Sequence, residues 1–131
     1  MVNAKRKGNS FELRMAHHFE RLVGKFCKRN LQFQGNNQGN PDISWPDSPI
    51  HIECKAVERP QFKKFMSQAK SEAKGKIPVV VHKFNRCQPT VTFELCDLVA
   101  FVYCMYQELD HTADDCPDSK GWCVFCAEDE K

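Results

Sequence analysis

The chain has 131 residues, 41% of them hydrophobic, and a formal net charge of +2. That is enough for one modest core, and no apolar run is long enough to cross a membrane. The basic start, Met1 to Lys7, is not followed by an apolar segment, so it does not read as a secretory signal and a reducing cytoplasm is the expected location. There its eight cysteines read as free thiols or metal ligands before disulfides.

The small net charge hides a division. Through Arg86 there are 17 Lys and Arg against 7 Asp and Glu, and from Cys87 onward 2 against 10. A basic body suits a polyphosphate partner, and an acidic end fits an appendage that stays off it; a charge run is also often just a solvated face.

In chain order, residues 1–9 read as a polar arm, with Asn9 or Ser10 capping a helix. Phe11, Met15, Phe19, Leu22 and Phe26 recur at three- and four-residue spacing, one apolar stripe running to about Cys27. Glu12 borders that stripe, either as a solvated first-turn carboxylate or at the edge of a buried site. His17 and His18 are adjacent on the helix and cannot chelate one ion together, so they read as surface or DNA-facing residues. Leu31 to Gln34 alternates as a short strand, and Gly35 to Pro41 forms a polar loop. Ile43-Ser44-Trp45 reads as a strand, and the Pro46-Asp47-Ser48-Pro49 turn folds Ile50-His51-Ile52 back beside it.

Pro60 opens a second helix with Phe62, Phe65, Met66 and Ala69 inward. Gln68 lies near that face, where it is a structural amide or reaches toward a site or a phosphate. Ile77 to Val81 is a continuous apolar run, as expected of a central strand, and Thr90 to Leu95 is the next strand. Asp97 caps a last helix through Tyr103. The predicted architecture is α/β, a mixed central sheet flanked by helices on both sides. The domain ends near residue 103, and 104–131 form an acidic, cysteine-rich tail.

The chemistry concentrates at Asp42 and at Ile52-Glu53-Cys54-Lys55. Strand alternation puts Glu53 and Lys55 on one face and Cys54 on the other. With Asp42 on the neighbouring strand, two carboxylates converge beside an amine, a ligand set for Mg²⁺ or Mn²⁺ and for phosphodiester cleavage.

With these residues in place, the chain resembles the PD-(D/E)xK nuclease superfamily, and within it the archaeal-type Holliday junction resolvases and their phage relatives. The likeness rests on Lys7-Gly8-Asn9-Ser10-Phe11-Glu12, Gly39-Asn40-Pro41-Asp42-Ile43, Ile52-Glu53-Cys54-Lys55, and Gln68 ahead of a Pro-Val-Val strand and a Lys-Phe pair. It covers about residues 5 to 95. The resemblance implies a restriction-endonuclease-like α/β/α core, a Mg²⁺-dependent endonuclease acting on branched DNA, a homodimer cutting opposing strands, and a bacterial or phage-infected cytoplasm. It also implies a metal-holding role for Glu12. The family's Ser or Thr before its Asp has no counterpart here; Gln38 or Asn40 is the available substitute.

On this reading Asp42 and Glu53, with Glu12 directly or through water, bind one or two metal ions, and the Cys54 carbonyl is a further ligand. Lys55 orients the attacking water or assists its deprotonation, with Gln68 nearby. Lys5, Arg6, Lys7, Lys25, Lys28, Arg29, Lys63 and Lys64 are candidates for DNA phosphate contacts. A nicking or degradative nuclease and a catalytically silent DNA-binding relative are the competing readings. In the tail, His111, Cys116, Cys123 and Cys126 have the makings of a zinc site through Cys123-Val124-Phe125-Cys126, with Cys96 and Cys104 as alternatives; unliganded thiols are the preferred reading.

Overall fold

The alternating run Ile50-His51-Ile52-Glu53-Cys54-Lys55 forms a single strand, β3 (Ile50–Lys55), at the centre of a five-stranded sheet. The computed structural model describes residues 4–30 and 40–108. The order along the chain is α1 (Ala4–Val23), β1 (Lys28–Arg29), β2 (Ile43–Ser44), β3, α2 (Phe62–Glu72), β4 (Ile77–His82), β5 (Thr90–Thr92) and α3 (Leu98–Glu108). The strands lie in sequence order across the sheet. Only β3 and β4 pair in parallel, joined by the α2 crossover; the other pairs are antiparallel. This is the expected mixed sheet, with β4 buried from Pro78 to His82.

Strand alternation sorts the two faces. Ile50, Ile52 and Cys54 join Ile43, Val79 and Val81 in one apolar layer, into which α1 inserts Phe11, Met15, Phe19 and Val23. The opposite face carries His51, Glu53 and Lys55, and there α2 contributes buried Ala69 with Gln68 and Glu72 beside it. Helices therefore cover both faces. Cys54 points away from its charged neighbours, as the period of two requires.

Several boundaries differ from expectation. α1 begins at Ala4, so most of the expected arm is helical; Ala4-Lys5-Arg6-Lys7 are strong helix formers. The helix stops at Gly24, whose φ of 67° takes the left-handed cap conformation, and its N–H donates to the Glu20 carbonyl. Phe26 therefore leaves the apolar stripe and is exposed. The first strand is the short β1 at Lys28–Arg29; the expected strand at 31–34 and the loop through Gln38 lie outside the described residues. Asp97 sits in a 3-10 turn, Leu95–Asp97, just ahead of α3. α3 continues past Tyr103 to Glu108, whose carboxylate accepts from Trp45 Nε1 (3.1 Å) and Lys25 Nζ (2.9 Å). That contact and the stacked Phe93–Phe101 pair, 4.3 Å between centroids, hold α3 against the body.

Candidate active site

Asp42 is the residue just before β2, and its position is fixed from two directions. Its backbone N–H donates to the Ile52 carbonyl at 2.8 Å, while its Oδ2 accepts the Cys54 backbone N–H at 2.8 Å. The turn that makes this possible is closed by Ser48, whose N–H donates to the Trp45 carbonyl, with Asp47 at a φ of 60°. In a strand a residue's N–H and C=O lie along the same edge, so the Cys54 carbonyl faces the Asp42 side as well.

Asp42 and Glu53 are both almost fully buried, and each lies close enough to act on the other's charge. Burial, then the charge of Glu53, pushes Asp42 up to about 7. Glu53 is also pushed up to about 7, by burial and then by its contact with Glu72. Lys55 opposes both shifts and does not outweigh them. For Asp42 the rise from 3.8 corresponds to roughly 4 kcal/mol, a large cost for holding the ionised form without a cation. Buried carboxylates clustered at this cost fit a divalent cation, which replaces their protons with charge.

Glu12 reaches the same place from the first part of α1. Burial and then Asp42 raise its pKa, while a 2.7 Å hydrogen bond from Arg29 Nε lowers it. Glu12 thus stands within electrostatic reach of Asp42 and Lys55 while paired to Arg29. Lys55 donates to Gln68 Oε1 at 3.3 Å, and its ammonium lies 5.2 Å from the centre of the Phe65 ring. Gln68 therefore meets the lysine itself. The Cys54 thiol is driven well above its ordinary value by burial and then by Asp42, so it is inert at neutral pH.

The basic residues divide into two groups. Arg6, Lys28, Lys63 and Lys64 are exposed and carry no ion pair among the described residues. Arg29 is committed to Glu12, Lys25 to Glu108, and Lys7 to Asn85 (2.7 Å) and Glu58 (3.9 Å). Lys5 also has a partner. Arg29 is thus held by Glu12 and is only partly exposed. His17 and His18 are exposed, as expected. His111, Cys116, Cys123 and Cys126 lie outside the described residues; Cys27, Cys54, Cys87, Cys96 and Cys104 are free thiols. No helix among the described residues is long and apolar enough to cross a membrane.

Sequence reasoning missed two residues at this site, His51 and Glu72. His51 Nε2 lies 2.9 Å from Glu53 Oε1 and 3.9 Å from Glu72 Oε2. The first was legible, since residue 51 shares a strand face with 53 and 55. Glu72 is one helical turn beyond Gln68, and its approach depends on how α2 crosses β3.

A family profile described as "Phage putative PDDEXK endonuclease" matches residues 3–114. The chain belongs to this family. The fold is of the restriction-endonuclease-like kind, a mixed five-stranded sheet flanked by helices. The chain is thereby a nuclease of a superfamily that works with divalent metals. Among solved structures it is similar to Archaeoglobus fulgidus Hjc, a Holliday junction resolvase from an archaeal hyperthermophile. Identity there is 17%, coverage 66% of this chain and 76% of that one, and the TM-score 0.47. No curated protein matches the sequence.

Proposed function

We propose that this protein is a Mg²⁺-dependent, structure-selective DNA endonuclease, and that its substrate is a four-way junction. The observation that carries the reading is the pair Asp42 and Glu53, buried against each other and joined across β2 and β3 by the Cys54 amide. Asp42, Glu53, the Cys54 carbonyl and Glu12 would hold the metal, with Mn²⁺ able to replace Mg²⁺. When bound, the metal supplies Lewis-acid charge at the phosphate and a more acidic water.

The chain's own residues do the rest. Lys55, steered by Gln68 and the Phe65 ring, places an ammonium beside the carboxylates to orient the attacking water. The Arg29–Glu12 pair fixes the carboxylate that α1 brings to the site. Arg6, Lys28, Lys63 and Lys64 contact backbone phosphates, which gives affinity without sequence preference.

Productive resolution of a junction needs paired cuts, hence two copies of a chain with one site. α3 offers the surface: Val99, Val102, Tyr103 and Tyr106 recur at three- and four-residue spacing and are each more than half exposed. We assign this stripe to a homodimer contact. Matched four-way, Y-shaped and linear duplexes incubated with Mg²⁺ test the substrate. The proposal expects symmetric nicks in opposing strands of the four-way junction; equal cutting of all three points to a nicking or degradative enzyme.

A further inference from the structure

His51, Glu53 and Glu72 form a second convergence of ligand groups, on the side of Glu53 that faces α2. One ligand atom from each lies within 4.8 Å of the other two. The separations of 2.9 Å for His51–Glu53 and 3.9 Å for His51–Glu72 are those of donors around one small cation. Bonds of about 2.0 to 2.2 Å set neighbouring ligands roughly 3 to 4 Å apart. The His51 and Glu53 side chains are 2% exposed and Glu72 is 27% exposed, so the group is closed at the sheet and open toward the end of α2.

We propose that His51, Glu53 and Glu72 form a second cation site, selective for a transition-metal dication such as Mn²⁺ or Zn²⁺, sharing Glu53 with the Asp42 site.

Three features favour a cation over a hydrogen-bonded brace. Glu53 and Glu72 bring carboxylate oxygens within 4.8 Å of each other, an arrangement that a positive species between them stabilises. A buried imidazole converges on the same carboxylates, supplying a nitrogen ligand that a purely acidic cluster lacks. Glu72 is also the last residue of α2, where the helix end carries partial negative charge. Lys74 and Lys76 act on His51 in the opposite sense from the following turn. Imidazole with carboxylates suits Mn²⁺, Zn²⁺ or Co²⁺, whereas Mg²⁺ and Ca²⁺ prefer oxygen ligands throughout and Mg²⁺ retains several waters. A cation here would tie α2 to β3 and hold Glu53 in place for the adjoining site.

The test uses full-length Asp42→Asn protein, which loses a carboxylate of the neighbouring site and keeps all three ligands proposed here. Metal-free protein is titrated with Co²⁺, followed by its visible absorption, and with Mn²⁺, followed by pulsed EPR for nitrogen coupling. The expected result is one ion per chain with a histidine nitrogen bound. Adding His51→Ala or Glu72→Gln should weaken it by at least about tenfold, and Mg²⁺ should displace it only in large excess. Glu72 is partly exposed on a helix, so its substitution remains informative if His51→Ala does not fold. Affinity unchanged by Glu72→Gln, or no ion bound to Asp42→Asn protein, overturns the proposal and leaves the cluster as a brace for Glu53. Because the readout is bound metal, it stands or falls separately from DNA cleavage.

Discussion

The backbone N–H of Cys54 donates to Oδ2 of Asp42 at 2.8 Å, so one hydrogen bond ties Asp42 to the middle of β3. Twelve positions separate the two in sequence, and the turn through Ser48 brings them together. The same contact leaves Asp42 against Glu53 with Lys55 nearby.

Stability of the metal-free protein should fall as pH rises from about 4 to 7. Asp42 and Glu53 have raised folded-state pKa values, so the folded protein keeps protons that the unfolded chain has already released. The unfolded state then binds fewer protons, and stability declines through that window and levels off above it. Thermal melts in a chelator across pH 4 to 8 check this. Mg²⁺ or Mn²⁺ should restore stability most at the alkaline end, and Asp42→Asn should flatten the metal-free decline.

Lys55→Met should reduce cleavage by about 100-fold or more, as expected when a water-positioning or proton-handling group is lost. Gln68→Ala should have a smaller effect, because it removes only the 3.3 Å contact that steers the amine. Single-turnover cleavage with saturating metal compares them. An equal loss in both variants would show that Gln68 acts on more than the lysine.

Val102→Glu or Tyr106→Glu should convert a dimer to a monomer without unfolding it, since both side chains are exposed. Sedimentation with and without four-way DNA measures this. A wild-type monomer in both conditions removes the α3 assignment and favours a nicking enzyme.

Local pattern made much of this legible. Alternation in β3 placed Glu53 and Lys55 together and Cys54 opposite, and helical spacing found Phe11, Met15 and Phe19 as the inner face of α1. Phe26 was misplaced because Gly24 ends the helix before the periodicity in the sequence does. The contacts that the sequence hid are the non-local ones. Arg29 looks like a surface cation until β1 lies beside α1 and its guanidinium meets Glu12. Lys7 and Glu58 are far apart in the chain and meet only in the fold. Glu72 reads as an ordinary helical carboxylate until α2 crosses over His51.

The central claim, that Asp42 and Glu53 are the metal-dependent cutting site, is tested most directly by comparing wild type with Asp42→Asn on one four-way junction. Binding is measured by gel shift in Ca²⁺ and cleavage in Mg²⁺. The account predicts that cleavage drops by about 100-fold or more while binding is retained, because the exposed cations Arg6, Lys28, Lys63 and Lys64 are untouched. Cleavage that persists at the wild-type rate in Asp42→Asn protein would contradict it.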